Sequence, residues 1–243
     1  MKEGGDRVNV EIWSDVVCPW CYVGKRQFED ALSRFAHARE VTVEWKSFEL
    51  DPTSPTHVGM SMDRLLQRKY GMSEEEARSA NHRMTELAAG VGLEYHLEDV
   101  QPGNTFDAHR LIHLAGTHGL GGAMKERLLA AYFTEGQPVG DRSTLADLAE
   151  EVGLDRAEVD EALAGEAFGP EVRADESRAT ALGASGVPFF VIDEAFGVAG
   201  AQGADVLLGA LERAWATSHS LSQIDGGEPG SGGNACTGDA CSV

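Results

Sequence analysis

Basic side chains are scarce: the 243-residue chain has 20 lysines and arginines against 40 aspartates and glutamates. A formal charge of −20 leaves no cationic footprint for neutralising phosphates, which excludes a nucleic-acid role. The same charge opposes docking on anionic membranes. No apolar run approaches the roughly 20 residues of a membrane span, so no membrane partner is expected. The opening Met1-Lys2-Glu3-Gly4-Gly5-Asp6-Arg7 has no apolar centre of the kind a secretory signal carries, and the expected compartment is the cytoplasm. Cysteine is limited to four residues. In a cytosolic chain so few thiols point to redox catalysis or metal binding rather than to structural staples. What remains is ordinary for a globular protein, with 42% hydrophobic and 25% charged residues. The length suits one large domain or one domain carrying an insertion.

Two of the four cysteines stand in Cys18-Pro19-Trp20-Cys21. Before them, Val8-Asn9-Val10-Glu11-Ile12-Trp13 alternates apolar and polar residues, as a half-buried strand does. After them, residues 22–38 run without proline, with Phe28, Leu32 and Phe35 at helical spacing. The dithiol therefore falls where a strand hands over to a helix N-terminus. Unpaired N–H groups and the positive end of the helix dipole favour a thiolate there. Such a cysteine can drop from about 8.5 to about 3.5–7.5, so an acidified Cys18 is expected.

A second alternating stretch, residues 41–48, reads as a strand ended by Asp51-Pro52-Thr53-Ser54-Pro55. Strand, helix, strand implies a parallel pair joined by a crossover. From about Met60 to about Leu182 the sequence is helical in tone, with seven segments. Ser61 caps residues 62–70 with Gly71 closing them, and the Ser73–Glu76 capping box opens residues 74–89. Later segments start at Asn104 or Thr105, after Gly121–Gly122, at Ser143 or Thr144, at Asp155 and at Pro170. Residues 187–192 and 196–199 read as a hairpin turning at Asp193-Glu194-Ala195. A last helix, 204–215, turns Val206, Leu207, Leu211 and Trp215 inward. Beyond Ser218 the Gly-rich composition reads as a flexible tail. The plan is α/β, a small sheet interrupted by helices.

The dithiol at a strand–helix junction, together with Gly186-Val187-Pro188-Phe189 before the hairpin, resembles the thioredoxin superfamily. The helical interruption is similar to its DsbA-like branch. Within that branch Trp13-Ser14-Asp15-Val16-Val17-Cys18-Pro19-Trp20-Cys21, Asn104-Thr105-Phe106-Asp107-Ala108-His109-Arg110 and Phe133-Thr134-Glu135-Gly136 resemble the FrnE-like proteins, over residues 8–215. The resemblance implies a thioredoxin fold with a large all-helical insertion. Residues 1–55 and 179–216 would form the split thioredoxin domain, 56–178 the insertion and 217–243 the tail. It further implies thiol–disulfide exchange in a cytoplasmic oxidoreductase or disulfide isomerase. Cys18 would attack, Cys21 would resolve, and Pro188 would be a cis-proline facing them after Val187. The partners would be protein thiols and disulfides and a thiol reductant such as glutathione, with a homodimer left open. No bound organic cofactor and no metal are required, because the cysteines carry the electrons.

Two residues between cysteines at a helix start bring both sulfurs within disulfide range, with Cys18 outermost and Cys21 turned inward. Pro19 suits the first helical position, where its missing N–H costs nothing. Trp20 adds bulk without the cation that a histidine there would supply. The competing readings are a buried inert pair and a zinc half-site, the latter needing two further ligands. A glutathione-dependent isomerase of the 2-hydroxychromene-2-carboxylate type is a third, but that group typically carries serine where Cys18 stands. A non-catalytic zinc-binding or chaperone module is a fourth. Cys236 and Cys241, in Cys-Thr-Gly-Asp-Ala-Cys, offer a second redox pair, a zinc half-site or idle thiols. A Gly-rich segment of about twenty residues spans about 25 Å on average, so reach to the first pair is open. His109 and His113 read as ordinary helix histidines; Asp15 could tune Cys18 but more often such a residue only forms a turn; Asn104, Thr105 and Arg110 could line a substrate groove, although Asn104 and Thr105 also make ordinary helix caps.

Overall fold

The computed structural model describes residues 7–219. The chain runs β1 (Val8–Ser14), α1 (Pro19–Arg34), a short 3-10 turn (Ala38–Glu40) and β2 (Val41–Ser47). Seven helices follow: α2 (Met62–Tyr70), α3 (Glu74–Ala89), α4 (Phe106–Thr117), α5 (Gly121–Phe133), α6 (Arg142–Glu151), α7 (Arg156–Ala164) and α8 (Gly169–Ala181). The hairpin β3 (Phe189–Ile192) and β4 (Phe196–Ala199) and helix α9 (Ala204–Ser218) complete it. The sheet order is β2-β1-β3-β4; β1 and β2 are parallel, and the other two pairings are antiparallel. This is a DsbA-like thioredoxin fold carrying a helical insertion.

Strand periodicity assigns the two faces of the sheet. Val8, Val10, Ile12, Phe190 and Ile192 pack with Phe28 of α1 and Leu207 and Leu211 of α9. Trp13, Phe189 and Val191, one residue out of phase, pack with Ala179 of α8. The expected half-buried β1 is therefore covered on both sides. Its one acid, Glu11, is buried because Arg178 of α8 donates to it at 2.7 Å, with Lys46 at 3.6 Å. The largest apolar cluster lies among the inserted helices and takes in Tyr22 and Val23 of α1, while Phe28 and Ala31 of the same helix belong to the sheet-side cluster. Helix α1 thus joins two cores, and its N-terminus sits between them.

The seven inserted segments, both serine caps and the parallel first pair appear as the sequence suggests. The differences have local causes. Helix α1 stops at Arg34 instead of reaching Ala38, because Phe35 turns to an extended conformation and sets its ring against His37 and Trp215. Gly121 and Gly122 lie inside α5. The turn is made by Gly119 at φ +72°, and a Cβ on Gly121 would come within 3.4 Å of the Gly116 Cα, so these glycines allow α4 and α5 to close up. Helix α6 is capped by the Asp141 carboxylate, which accepts from the Thr144 N–H at 2.9 Å, so neither Ser143 nor Thr144 is the cap. Val206 faces outward at 49% exposure, since the inward stripe of α9 is Leu207, Leu211 and Ala214.

Candidate active site

Cys18 is the N-cap of α1, in an extended conformation (φ −92°, ψ 113°), and Pro19 occupies the first helical turn. The Cys21 N–H donates to the Cys18 carbonyl at 3.0 Å. Both cysteines are free thiols. Trp20, between them, is 45% exposed. The Val187–Pro188 peptide bond is cis, and the Cys18 thiol contacts the Val187 carbonyl at 3.5 Å. Gly24 makes this juxtaposition possible one turn down α1: a Cβ there would lie 2.8 Å from Pro188 Cγ. Sequence reading thus brings together Cys18, Cys21, Pro19, Trp20, Val187 and Pro188. Cys236 and Cys241 lie outside the described residues.

Two expectations about the thiols change. Cys18 is the outer sulfur only by a little, at 4% exposure against 1% for Cys21. The expected acidification of Cys18 is also not met. Its thiol is raised well above the ordinary value, first by hydrogen bonding with the Cys21 side chain, then by burial, then by the charge of Cys21 and of Asp15. The Cys21 backbone N–H pulls in the other direction. The helix end does supply a donor, but a proton shared between two buried sulfurs outweighs it.

Behind the dithiol lies a cluster of buried polar groups. Asp15 is buried and accepts from the Leu50 N–H at 2.7 Å, so it is more than a turn former. Burial pushes its carboxyl up, but the His109 contact at 3.3 Å, the Leu50 N–H and the Lys125 charge bring it below the usual value. Burial pushes His109 down more strongly than Asp15 raises it. A neutral ring donating from Nε2 to a charged Asp15 satisfies both shifts. That tautomer leaves His109 Nδ1 as a bare acceptor, and it has no hydrogen-bond partner among the described residues. Lys125 of α5 is fully buried and donates to the Ser14 carbonyl at 3.0 Å. Burial lowers its pKa to about 8, against the charges of Cys21, Asp15 and Cys18.

Sequence reasoning missed this cluster. Lys125 opens the charged run Lys125-Glu126-Arg127 of α5, with nothing local to mark it as the buried member, and Asp15 and His109 are 94 positions apart. Tyr95 is another insertion residue reaching the junction, its hydroxyl donating to the Pro19 carbonyl at 2.8 Å. His113 points elsewhere, to Asp175 at 3.1 Å, so the two histidines of α4 do not act as one ligand pair. Arg110 donates to the carbonyls of Ala162, Gly165 and Ala167, which fixes the connection after α7. Asn104 Oδ1 accepts from the Phe106 N–H at 2.9 Å, a local cap. Among the described residues His96, Glu98 and Asp99 gather their ligand atoms within 4.8 Å; that surface group excludes the thiols.

A cavity of about 460 Å³ opens beside Cys18, lined by Asp15, Val17, Trp20, Val187 and residues of α2 and α3. A dithiol at a helix start, an adjoining cis-proline loop and a helical insertion form one combination in a single site. The DSBA-like thioredoxin domain family model matches residues 9–212. The chain belongs to that family. A structure described as a probable DsbA oxidoreductase from Streptomyces coelicolor is 44% identical, covers 96% of this chain and all of its own, and superposes with a TM-score of 0.85. The uncharacterized protein YwbO of Bacillus subtilis (strain 168) is 32% identical over 211 residues, covering 84% of this chain and 96% of its own. The cytosolic disulfide reductase DsbM from Pseudomonas aeruginosa, solved with glutathione, shares the fold at 20% identity, with a TM-score of 0.58 and coverage of 86% and 96%.

Proposed function

We propose that this member of the DSBA-like family is a cytoplasmic thiol–disulfide oxidoreductase and disulfide isomerase acting on proteins through Cys18 and Cys21. The observation that carries the reading is a pair of free thiols at the start of α1, one touching the Val187 carbonyl beside an open cavity. The Val187 N–H has no backbone acceptor among the described residues, so it can pair with an extended chain laid alongside. In the reducing direction Cys18, a thiol at rest, first loses its proton to solvent, and the thiolate attacks a substrate disulfide. A bond forms between Cys18 Sγ and one substrate sulfur, and the other leaves as a thiolate that takes a proton from solvent. Cys21 then gives up its proton to solvent and attacks Cys18 Sγ. This releases the second substrate thiolate and leaves a Cys18–Cys21 disulfide. Two electrons have passed to the substrate, and a thiol reductant returns them. In isomerisation a second substrate thiolate attacks the substrate sulfur of the mixed disulfide, forming a new substrate disulfide and expelling the Cys18 thiolate, with no net electron transfer.

Glutathione, present in the DsbM structure, is the first reductant to assay, and the cytosol named for that reductase is the compartment we assign. Cys236 and Cys241 are proposed as a second pair relaying electrons to the first. The domain division, 1–55 with 179–216 against 56–178, is supported by the two main apolar clusters, one on the sheet and one among the inserted helices, which α1 joins through Tyr22 and Val23. The test is insulin reduction and the unscrambling of a misbridged substrate. Cys18→Ser should abolish both, and Cys21→Ser should trap mixed disulfides. Full turnover by Cys18→Ser would refute the assignment.

A further inference from the structure

Three cations are buried among the described residues: Lys25, Arg110 and Lys125. Two of them have carboxylates. Lys25 meets Glu29 and Glu126, and Arg110 meets Asp107. Lys125 forms no ion pair among the described residues. Its hydrogen bond goes to the Ser14 carbonyl at 3.0 Å, and the centre of the Trp45 ring lies 5.8 Å away. A buried ammonium without a counter-ion is a cost to folding. Methionine would serve the packing of α5 without that cost. A charge kept in such a place, next to a reactive group, points to a function.

The contact between α5 and α1 is registered at the second cysteine. Glu126, the residue after Lys125, accepts from the hydroxyl of Tyr22 at 2.6 Å and pairs with Lys25 and Arg26. Tyr22 is the residue after Cys21. The groups facing Lys125 come from four parts of the fold. Helix α1 brings Cys18, Cys21 and Lys25, the β1–α1 junction brings Ser14 and Asp15, α4 brings the neutral His109, and β2 brings Trp45. Burial pushes the ammonium toward losing its proton. The charge of Cys21 opposes this first, then Asp15 and Cys18, while Lys25 adds to the effect of burial. Asp15 is already held by the Leu50 N–H and by His109. The Cys21 charge is different in kind, because it exists only once the resolving thiol has given up its proton. An interaction that appears only during turnover lowers the barrier of that step instead of tightening the resting state.

Resting on the exchange reaction proposed above, we infer that the Lys125 ammonium is the counter-charge for the Cys21 thiolate in the resolving step. The proton of Cys21 leaves for solvent and Lys125 keeps its own. The thiolate then attacks Cys18 Sγ, the bond from Cys18 to the substrate sulfur breaks, and the substrate thiolate departs. The helical insertion supplies the charge for this second step, while the start of α1 supplies both sulfurs.

The test follows one turnover of the reduced full chain with glutathione disulfide, by rapid acid quench and mass measurement of the peptide that carries Cys18 and Cys21. Formation of the mixed disulfide between Cys18 and glutathione reads attack, and its decay reads resolution. A neighbouring opposite charge alters a thiolate population by about 10- to 1,000-fold. Nucleophilicity changes the other way with about half the exponent. Lys125→Met should therefore slow resolution at pH 7 by about 3- to 30-fold and accumulate the mixed disulfide, with attack slowed less. Lys125→Gln should do the same. The difference from the unaltered protein should close between pH 7 and 9.5, because the ammonium loses its proton at about 8. Resolution as fast in both variants as in the unaltered protein overturns the counter-charge and leaves the exchange reaction standing. Attack and resolution slowed by one common factor overturn it too, since the effect would not belong to Cys21. A difference that stays constant up to pH 9.5 overturns the charge as its cause. Absence of both the mixed disulfide and the Cys18–Cys21 disulfide in the unaltered protein overturns both readings.

Discussion

Replacing Lys125 by methionine is expected to flatten the dependence of stability on pH above neutrality. The ammonium is fully buried, donates to the Ser14 carbonyl at 3.0 Å and lies 5.8 Å from the centre of the Trp45 ring. Burial brings its pKa down from 10.5 to about 8, although Cys21, Asp15 and Cys18 act to raise it. In the unfolded chain the amine keeps its proton up to its ordinary value. Between the two values the unfolded state therefore binds more protons than the folded state, and stability rises with pH. Each pH unit inside that window contributes about 1.4 kcal/mol. From pH 8 to 9.5 the gain is about 2 kcal/mol, and below pH 8 the full cost of burying the charge is present. Methionine fills a similar shape and does not titrate. Urea unfolding of the reduced protein and of Lys125→Met, at fixed ionic strength, reads the difference directly. The unaltered protein should gain about 2 kcal/mol on the variant between pH 8 and 9.5. Parallel stability curves would refute the reasoning, because they would mean the amine titrates in the fold as it does in water.

Three other perturbations test separate parts of the molecule. Gly24→Ala places a Cβ 2.8 Å from Pro188 Cγ, so about 1–3 kcal/mol of overpacking should exceed the roughly 1 kcal/mol that alanine gains in a helix; a raised Tm by calorimetry would contradict it. Burial pushes the Glu126 carboxyl up, but bonds from Arg26, Lys25 and Tyr22 hold it at about 2. Its share of stability is complete above pH 4.5 and is lost as pH falls through about 2, so Glu126→Gln should lose stability at pH 7 and respond less steeply to acid; identical acid-unfolding slopes would argue against the network. Changing Cys236 and Cys241 together to serine should slow steady-state turnover while sparing a single oxidation of the Cys18–Cys21 pair, and unchanged turnover would remove the relay.

The elements with strong local signals were legible. Residues 62–70 and 74–89 carry serine caps and helical periodicity, and both helices form within those limits. The Asp193–Glu194 turn is equally local, with both residues at positive φ. Cys18 and Cys21 were visible because their spacing alone places them on one helical turn. Long-range placement was not legible. Nothing in a single sequence shows that Glu11 is covered by α8, that α1 ends early because Phe35 packs against Trp215, or that α6 takes Asp141 as its cap. The direction of the Cys18 shift was not legible for the same reason: a helix end can be inferred from sequence, whereas burial depends on tertiary packing.

Those tertiary contacts also decide how the insertion relates to the dithiol. Three of its residues bond to the stretch that carries the cysteines: Lys125 to the Ser14 carbonyl, His109 to the Asp15 carboxylate and Tyr95 to the Pro19 carbonyl. Each satisfies a polar group in or beside the strand–helix junction. Leaving one such group buried and unpaired costs about 1–3 kcal/mol. A helix dipole acting on a nearby charge is worth about 0.3–1 kcal/mol, rising to about 2 in partly buried geometries. The contacts from the insertion therefore weigh at least as much on the junction as the helix end that first drew attention to Cys18. Moving α4 or α5 would disturb the groups flanking both sulfurs before it disturbed the sheet. The helices between β2 and β3 are in this respect part of the dithiol's immediate environment, and substitutions in them should register at the thiols.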